Sequence, residues 1–325
     1  MKSAAGPRFL HVANGTSTTM TIAAAGISGL RSIWADPLHD GPVPAGLTDE
    51  ELLDVRARYH GESDDPVNDL RRWRTVIEDR DSYDDLVLWY EHDLFCQLNL
   101  IQLLSWIRRR VTATVSLICI GSFPGRPNFK GLGELLPAEL APLLDTRHQV
   151  TEGEYNLAER AWHAFRAPTP EPLNELCRAD TTALPYLGRA LERFLQEYPW
   201  TRDGLSRWER RLLQLAETGP VTLRAAFPRM NDGEDAHYIT DTSLVDLAET
   251  LSRTHPPLIT VTGVADPERV LQTGSVSITN AGRDVLAGRR DRVACGLDRW
   301  FGGVHQRTGA APWRWDEERG RVVGT

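Results

Sequence analysis

Short apolar runs that stop at polar, glycine-marked turns alternate with longer stretches of helical period over the first 145 residues. Phe9-Leu10-His11-Val12-Ala13 closes on Asn14-Gly15, and residues 18–25 read as a helix with Gly26 near its end. Residues 30–34 form a second run, broken by Asp36-Pro37, and Pro42-Val43-Pro44-Ala45-Gly46 reads as a loop. Thr48-Asp49-Glu50-Glu51 has capping-box spacing and opens a charged helix, with more helix over 67–79. Asp85-Leu86-Val87-Leu88-Trp89-Tyr90 is a third strand, residues 94–108 carry a helical period, and residues 114–120 are a fourth strand ending at Gly121-Ser122. Strand and helix in alternation imply a parallel sheet with helices on its faces. The expectation is an α/β fold with a Rossmann-like N-terminal domain over residues 8–145.

The pattern changes after that. Residues 154–165 and 184–198 are amphipathic, separated by the Pro-rich stretch 167–172, and form a helical connector over 146–202. Ser206-Arg207-Trp208-Glu209 is a second capping box. Its helix, a short one capped by Thr222, and a third over 242–253 precede two β-like runs at 258–262 and 275–279. Three helices followed by a hairpin is the order of a winged helix, expected over 203–290. The remainder, 291–325, is a Trp-rich docking tail with Trp300, Trp313 and Trp315, near which Arg299 and Arg314 are placed for cation–π stacking.

Composition narrows the class. The chain has 325 residues, 41% hydrophobic and 25% charged, ordinary for a globular protein of two or three domains. No apolar run has membrane-span length, and the start at Met1 lacks the apolar core of a signal peptide, so the expected compartment is cytoplasmic. Cys96, Cys119, Cys177 and Cys295 make no CxxC pair, which argues against a disulfide framework or structural zinc. Cys96 lies near the expected site but reads first as a core residue. A net charge of −8 argues against a nucleic-acid partner. So does the expected recognition helix, which carries Arg224 and Arg229 and is cut by Pro228. Membrane partners are not expected, and a homo-oligomer is left open.

Ligands of open parallel sheets bind outside the carboxyl ends of the strands, and those ends are polar here. The first holds His11, Asn14, Gly15, Thr16 and Ser17; the second Asp36, His39 and Asp40; the third Glu91, His92 and Asp93, followed by Gln97 and Asn99 on the next helix. Free N–H groups at the helix start, with the Thr16 and Ser17 hydroxyls, suit an anion such as phosphate or carboxylate; an ordinary N-cap is the equal alternative. The segment has neither the GxGxxG dinucleotide fingerprint nor a P-loop, so no cofactor is assigned. Asp36 with His39 would pair a carboxylate and an imidazole, and with Ser17 would resemble a hydrolytic Ser/His/Asp set. Asp36 before Pro37 also suits a plain turn, and Asp93 also suits a helix cap. Two carboxylates with His39 or His11 would make a metal site, the minority reading without HExxH spacing. The expected catalytic residues are therefore Asp36, His39, Glu91, His92 and Asp93. The expected ligand-binding residues are His11, Asn14, Gly15, Thr16, Ser17, Gln97 and Asn99.

His11-x-x-Asn14-Gly15-x-Ser17, Trp34-x-Asp36-Pro37-Leu38-His39-Asp40-Gly41-Pro42-Val43-Pro44 and Trp89-x-Glu91-His92-Asp93-Leu94-Phe95-x-Gln97-Leu98-Asn99 resemble the bacterial family catalogued as domain of unknown function 1835. Leu184-Pro185-Tyr186-Leu187, Gly204-Leu205-Ser206-x-x-Glu209 and Asp298-Arg299-Trp300-x-Gly302-Gly303 resemble the C-terminal regions that accompany it. Thr16 stands where the resemblance leads one to expect Asp. The resemblance brings no mechanism, so function rests on site chemistry. The expectation is an enzyme that binds a small anionic metabolite or nucleotide-like ligand and works by acid–base or hydrolytic chemistry. The alternatives are a ligand-sensing DNA-binding regulator and a non-catalytic interaction module.

Overall fold

The structure is a computed structural model and describes residues 8–60, 66–263 and 270–324. The expected start and the 264–269 stretch of the expected 203–290 region lie outside the described residues. The chain is α/β and divides into two units, residues 1–190 with 302–304, and residues 191–301 with 305–325. Among the described residues no helix is long and apolar enough to cross a membrane.

The first unit runs β1 (Phe9–Ala13), α1 (Thr16–Ala24), β2 (Leu30–Ile33), α2 (Asp49–His60), α3 (Pro66–Glu78), β3 (Asp85–Glu91), α4 (Leu94–Ile107), β4 (Thr114–Ile120), α5 (Pro137–Leu140), β5 (His148–Gln149), α6 (Glu152–Arg166) and α7 (Glu171–Leu176). The sheet order is β2-β1-β3-β4-β5. The first four strands are parallel, and β5 runs antiparallel to β4. The central strand β3 is buried along nearly its whole length, which is why its sequence is a continuous apolar run. Ala13, Val87, Trp89 and Ile118 share a core with Ile22 of α1, Leu132 and Leu140. All of α4 except Phe95 and Ser105 is buried, its polar Gln97, Asn99 and Gln102 included.

Two features of this unit position the rim. The chain leaves β1 toward β2 on one side and returns to β3 on the other, so the carboxyl ends of β1 and β3 flank the point where the strand order reverses. The loop after β2 is tied to α2 by a buried ion pair. Arg56 Nη2 lies 2.6 Å from Asp36 Oδ1, and both side chains are almost fully buried. The Thr48 cap forms as its spacing requires, with the Thr48 N–H donating to Glu51 Oε2 at 2.8 Å. The Pro-rich stretch expected as a spacer instead leads into α7, which a Pro in its first turn favours.

The chain continues through α8 (Leu187–Leu195), α9 (Arg207–Glu217), β6 (Val221–Thr222), α10 (Leu223–Met230), α11 (Asp241–Ser252), β7 (Ile259–Thr262), α12 (Val270–Thr273), β8 (Ser275–Ile278) and α13 (Asn280–Leu286). Four more strands follow: β9 (Asp298–Phe301), β10 (Val304–Arg307), β11 (Trp313–Asp316) and β12 (Arg321–Gly324). In the second unit β6, β8 and β7 form an antiparallel sheet in that order. Ser206 and Glu209 cap α9 reciprocally, and Thr222 caps α10. Residues 291–325, expected as a tail, hold paired strands, with β9 beside β10 and β11 beside β12. Trp315 is buried and its N–H donates to the Pro199 carbonyl at 2.8 Å. The expected cation–π contacts also differ. Arg299 stacks over Phe301 at 4.9 Å, and Arg314 pairs with Asp291 at 2.5 Å.

Removing one member of a buried ion pair leaves the other charged and unsolvated. Arg56→Leu should therefore cost about 3–5 kcal/mol in urea unfolding. The double variant Asp36→Asn/Arg56→Leu should recover much of that loss. A single-variant cost below about 1 kcal/mol would show that the pair does not hold the loop.

Candidate functional site

The carboxyl end of β3 carries Glu91, whose side chain turns to the same face as Trp89 and Val87 and is 1% exposed. Three segments converge on its carboxyl. Asn14, the residue after β1, donates from Nδ2 to Oε2 at 2.6 Å. Cys96, in the first turn of α4, donates its thiol to the same oxygen at 2.5 Å. The Leu132 N–H, from the segment between β4 and α5, donates to Oε1 at 2.5 Å. Asn14 is itself fixed by Thr18, whose hydroxyl donates to Asn14 Oδ1 at 3.1 Å. Asp93 caps α4 by accepting from the Cys96 N–H at 3.2 Å. The structure thus brings Asn14, Glu91 and Asp93 together across the point where the strand order reverses.

Gly15, Thr16 and Ser17 open α1 beside this cluster. Gly15 is the N-cap in extended backbone with no side-chain cap, and Thr16 and Ser17 are exposed. The Ser17 hydroxyl donates to the Gly133 carbonyl at 3.1 Å.

Other expected residues serve the fold. His11 is fully buried in mid-strand; its Nδ1 accepts from Trp89 Nε1 at 3.1 Å, leaving Nε2 to donate to the Ser28 carbonyl at 3.2 Å. Burial lowers its pKa, so it stays a neutral packing group. The Asp36–His39 pairing is replaced by another. Asp36 is held by Arg56 and by His60, whose Nε2 lies 3.2 Å from Oδ1, while His39 Nε2 lies 3.4 Å from Asp40 Oδ2. Burial alone would raise the Asp36 carboxyl, but Arg56 and His60 outweigh it and hold it below the usual carboxylate range. Asn99 grips the Asp36 backbone, accepting from its N–H at 2.9 Å and donating to its carbonyl at 2.8 Å. Gln97 donates to the Glu91 carbonyl at 2.7 Å and braces the strand end. His92 packs beside Tyr186 and Phe129, with ring centroids at 6.2 and 6.3 Å. A Cβ on Gly121 would meet the Tyr186 ring at 2.5 Å, so the glycine at the end of β4 makes room for that packing.

Burial acts in the same direction on the two neighbouring acids at this strand end. Burial pushes the Glu91 carboxyl up to about 8, and the neighbouring Asp93 charge adds to the effect against the three hydrogen bonds. Burial raises Asp93 as well. The Cys96 thiol is driven well above its ordinary range by burial and then by the two carboxyls, so it remains a donor and not a thiolate. Glu91, Asp93 and Cys96 offer ligand atoms within 4.8 Å of one another. A metal there would have to displace the Cys96–Glu91 hydrogen bond. The three donors favour the ionised carboxyl and partly offset the rise that burial imposes.

Cys96, Leu132, Gly131, Gly133 and Tyr186 are the neighbours that sequence reading left out of the site. Two glycines flanking one apolar residue after β4 were the available signal for the 131–133 approach.

An acid whose pKa is raised on folding weakens the fold as pH rises. Unfolded Glu91 ionises near its ordinary 4.5 and folded Glu91 near 8. Both states are protonated below that window and ionised above it. Within it the unfolded state loses its proton first, so the Glu91 share of stability falls as pH rises, at up to about 1.4 kcal/mol per pH unit. Urea titrations from pH 5 to 8 should show Glu91→Gln with a flatter slope than wild type. Parallel slopes would mean that Glu91 ionises normally in the fold.

No protein-family model matches the chain, and no curated protein matches it.

Proposed function

We propose that the first unit is an enzyme domain in which Glu91 gives and takes a proton on a small anionic ligand held where β1 and β3 diverge. The reading rests on one observation: a buried carboxyl at that strand end, clamped by Asn14, Cys96 and the Leu132 N–H. The strand order β2-β1-β3-β4 fits a Rossmann-like, doubly wound sheet, and in such sheets ligands bind in the crevice at the order reversal. The N–H groups at the uncapped start of α1, with Ser17, supply the anion's donors. A carboxyl that titrates near neutrality matches the demands of general acid–base catalysis. Asp93 is the second ionisable group of the site. The ligand class is a small anionic metabolite, nucleotide-like compounds included. On its quoted motifs the chain is also proposed as a member of the bacterial family catalogued as domain of unknown function 1835.

The order α9, β6, α10, α11, β7, α12, β8, with β7 and β8 paired antiparallel, supports a winged-helix reading of the second unit, as an architectural module and not a reader of nucleic acid. Several of its arginines are turned to internal ion pairs, while Arg224 and Arg229 on α10 are exposed. Arg207 meets Glu234 at 2.5 Å, Arg210 meets Asp203 at 2.5 Å, and Arg292 meets Glu209 at 2.9 Å. Of the basic groups at 289–292, Arg289 is also paired, with Asp284 at 2.7 Å. Such pairing leaves few cations for phosphates. An electrophoretic shift with mixed genomic fragments at low salt should show no tight binding. Salt-sensitive binding with a selected consensus site would promote the regulator alternative.

Activity screening against phosphorylated and carboxylated metabolites tests the enzyme reading. With a substrate in hand, Glu91→Gln should lower kcat by about 100-fold or more while circular dichroism stays that of the wild type. Ser17→Ala should raise KM more than it lowers kcat. A Glu91→Gln variant with wild-type turnover would refute the assignment.

A further inference from the structure

Glu91 is 1% exposed, so nothing can reach its carboxyl in the arrangement described. Of the three groups that clamp it, Asn14 is fixed at the end of β1 and Cys96 within the buried α4. The third is a backbone N–H on a short strap, residues 131–134, whose only regular structure is the helical turn Leu132–Glu134. The strap comes close at two points where side chains are missing. A Cβ on Gly131 would stand 3.0 Å from Glu91 Oε1, and one on Gly133 would stand 2.9 Å from Ser17 Oγ. Its backbone presents a donor to Glu91 and, at Gly133, an acceptor to the Ser17 hydroxyl. The Leu132 side chain plugs the core beside Ile22 and Trp89.

We propose that residues 131–134 are a removable cover, and that its Leu132 N–H and Gly133 carbonyl stand where the ligand's own donor and acceptor bind. The inference rests on the acid–base reading of Glu91 and adds the chemistry of the ligand. The compound carries a hydroxyl or amine for Glu91 and, a few bonds away, a carboxylate or phosphate oxygen for Ser17 and the start of α1. Opening moves the segment, draws the Leu132 side chain out of the core, and leaves Asn14 and Cys96 on the carboxyl.

Native-state hydrogen exchange of the full chain tests the cover without turnover. Amides 131–134 should exchange by local opening, faster than those of β1 and β3, which wait for global unfolding. Ser17→Ala removes one strap bond without touching the core and should speed strap exchange about fivefold. Lactate and glycerol 3-phosphate at millimolar concentration separate the two anion classes, with propionate as the control lacking a hydroxyl. One of the first two should change strap exchange and propionate should not. Strap amides as slow as those of β3, or unchanged by Ser17→Ala, would overturn the cover. A strap that opens but answers none of the probes, or answers propionate equally, would overturn the donor–acceptor assignment. A strap that opens as expected while Glu91→Gln keeps full activity would sink the acid–base reading and leave the cover standing.

Discussion

A single buried carboxyl at the end of β3 sets the geometry of the rim. Three donors from three chain segments meet on Glu91, and each brings its segment into place: Asn14 the turn into α1, Cys96 the start of α4, Leu132 the strap before α5. A buried acid without such donors would be costly, because an unsatisfied carboxyl in a dry site loses its hydration with no return. The same demand explains why residues 131 and 133 are glycines, since a side chain at either would hold the strap away from Glu91 or Ser17.

The rim contains two buried acids neutralised in opposite ways. Asp36 has the Arg56 guanidinium and the His60 imidazole beside it and stays ionised. The groups bearing most on Glu91 are Asp93, Cys96, the Leu132 N–H and Asn14, none of them a cation, and burial raises its carboxyl against the three hydrogen bonds. Asp36 anchors the loop after β2 to α2. Glu91 gathers Asn14, Cys96 and the Leu132 N–H at the end of β3.

Sequence periodicity located the four parallel strands, because the runs at β1, β3 and β4 are strongly apolar, but it missed β5, a two-residue antiparallel edge strand in the stretch expected as a helical connector. It also located α9 and α10 through their Ser206 and Thr222 caps, which act within three residues of their own helix start. The site was harder to read. Polar residues at strand ends look alike in sequence, whether they face a ligand or brace a loop. His11, Asp36, Gln97 and Asn99 brace, and their partners Trp89, Arg56, the Glu91 carbonyl and the Asp36 backbone are set by tertiary placement. Cys96 read as core filling because a thiol buried against a carboxyl has no pattern of its own. The Leu132 donor is a backbone group, so side-chain chemistry never pointed to it. The two C-terminal hairpins were missed because their strands are only four residues each and lack sustained alternation.

The central claim is that Glu91 holds a proton near neutral pH. Carbon-13 NMR of the glutamate carboxyls, with Glu91 assigned by comparison with Glu91→Gln, follows that proton directly across pH 4 to 9. The account predicts a midpoint at about 8. A midpoint at the ordinary 4.5 would contradict it.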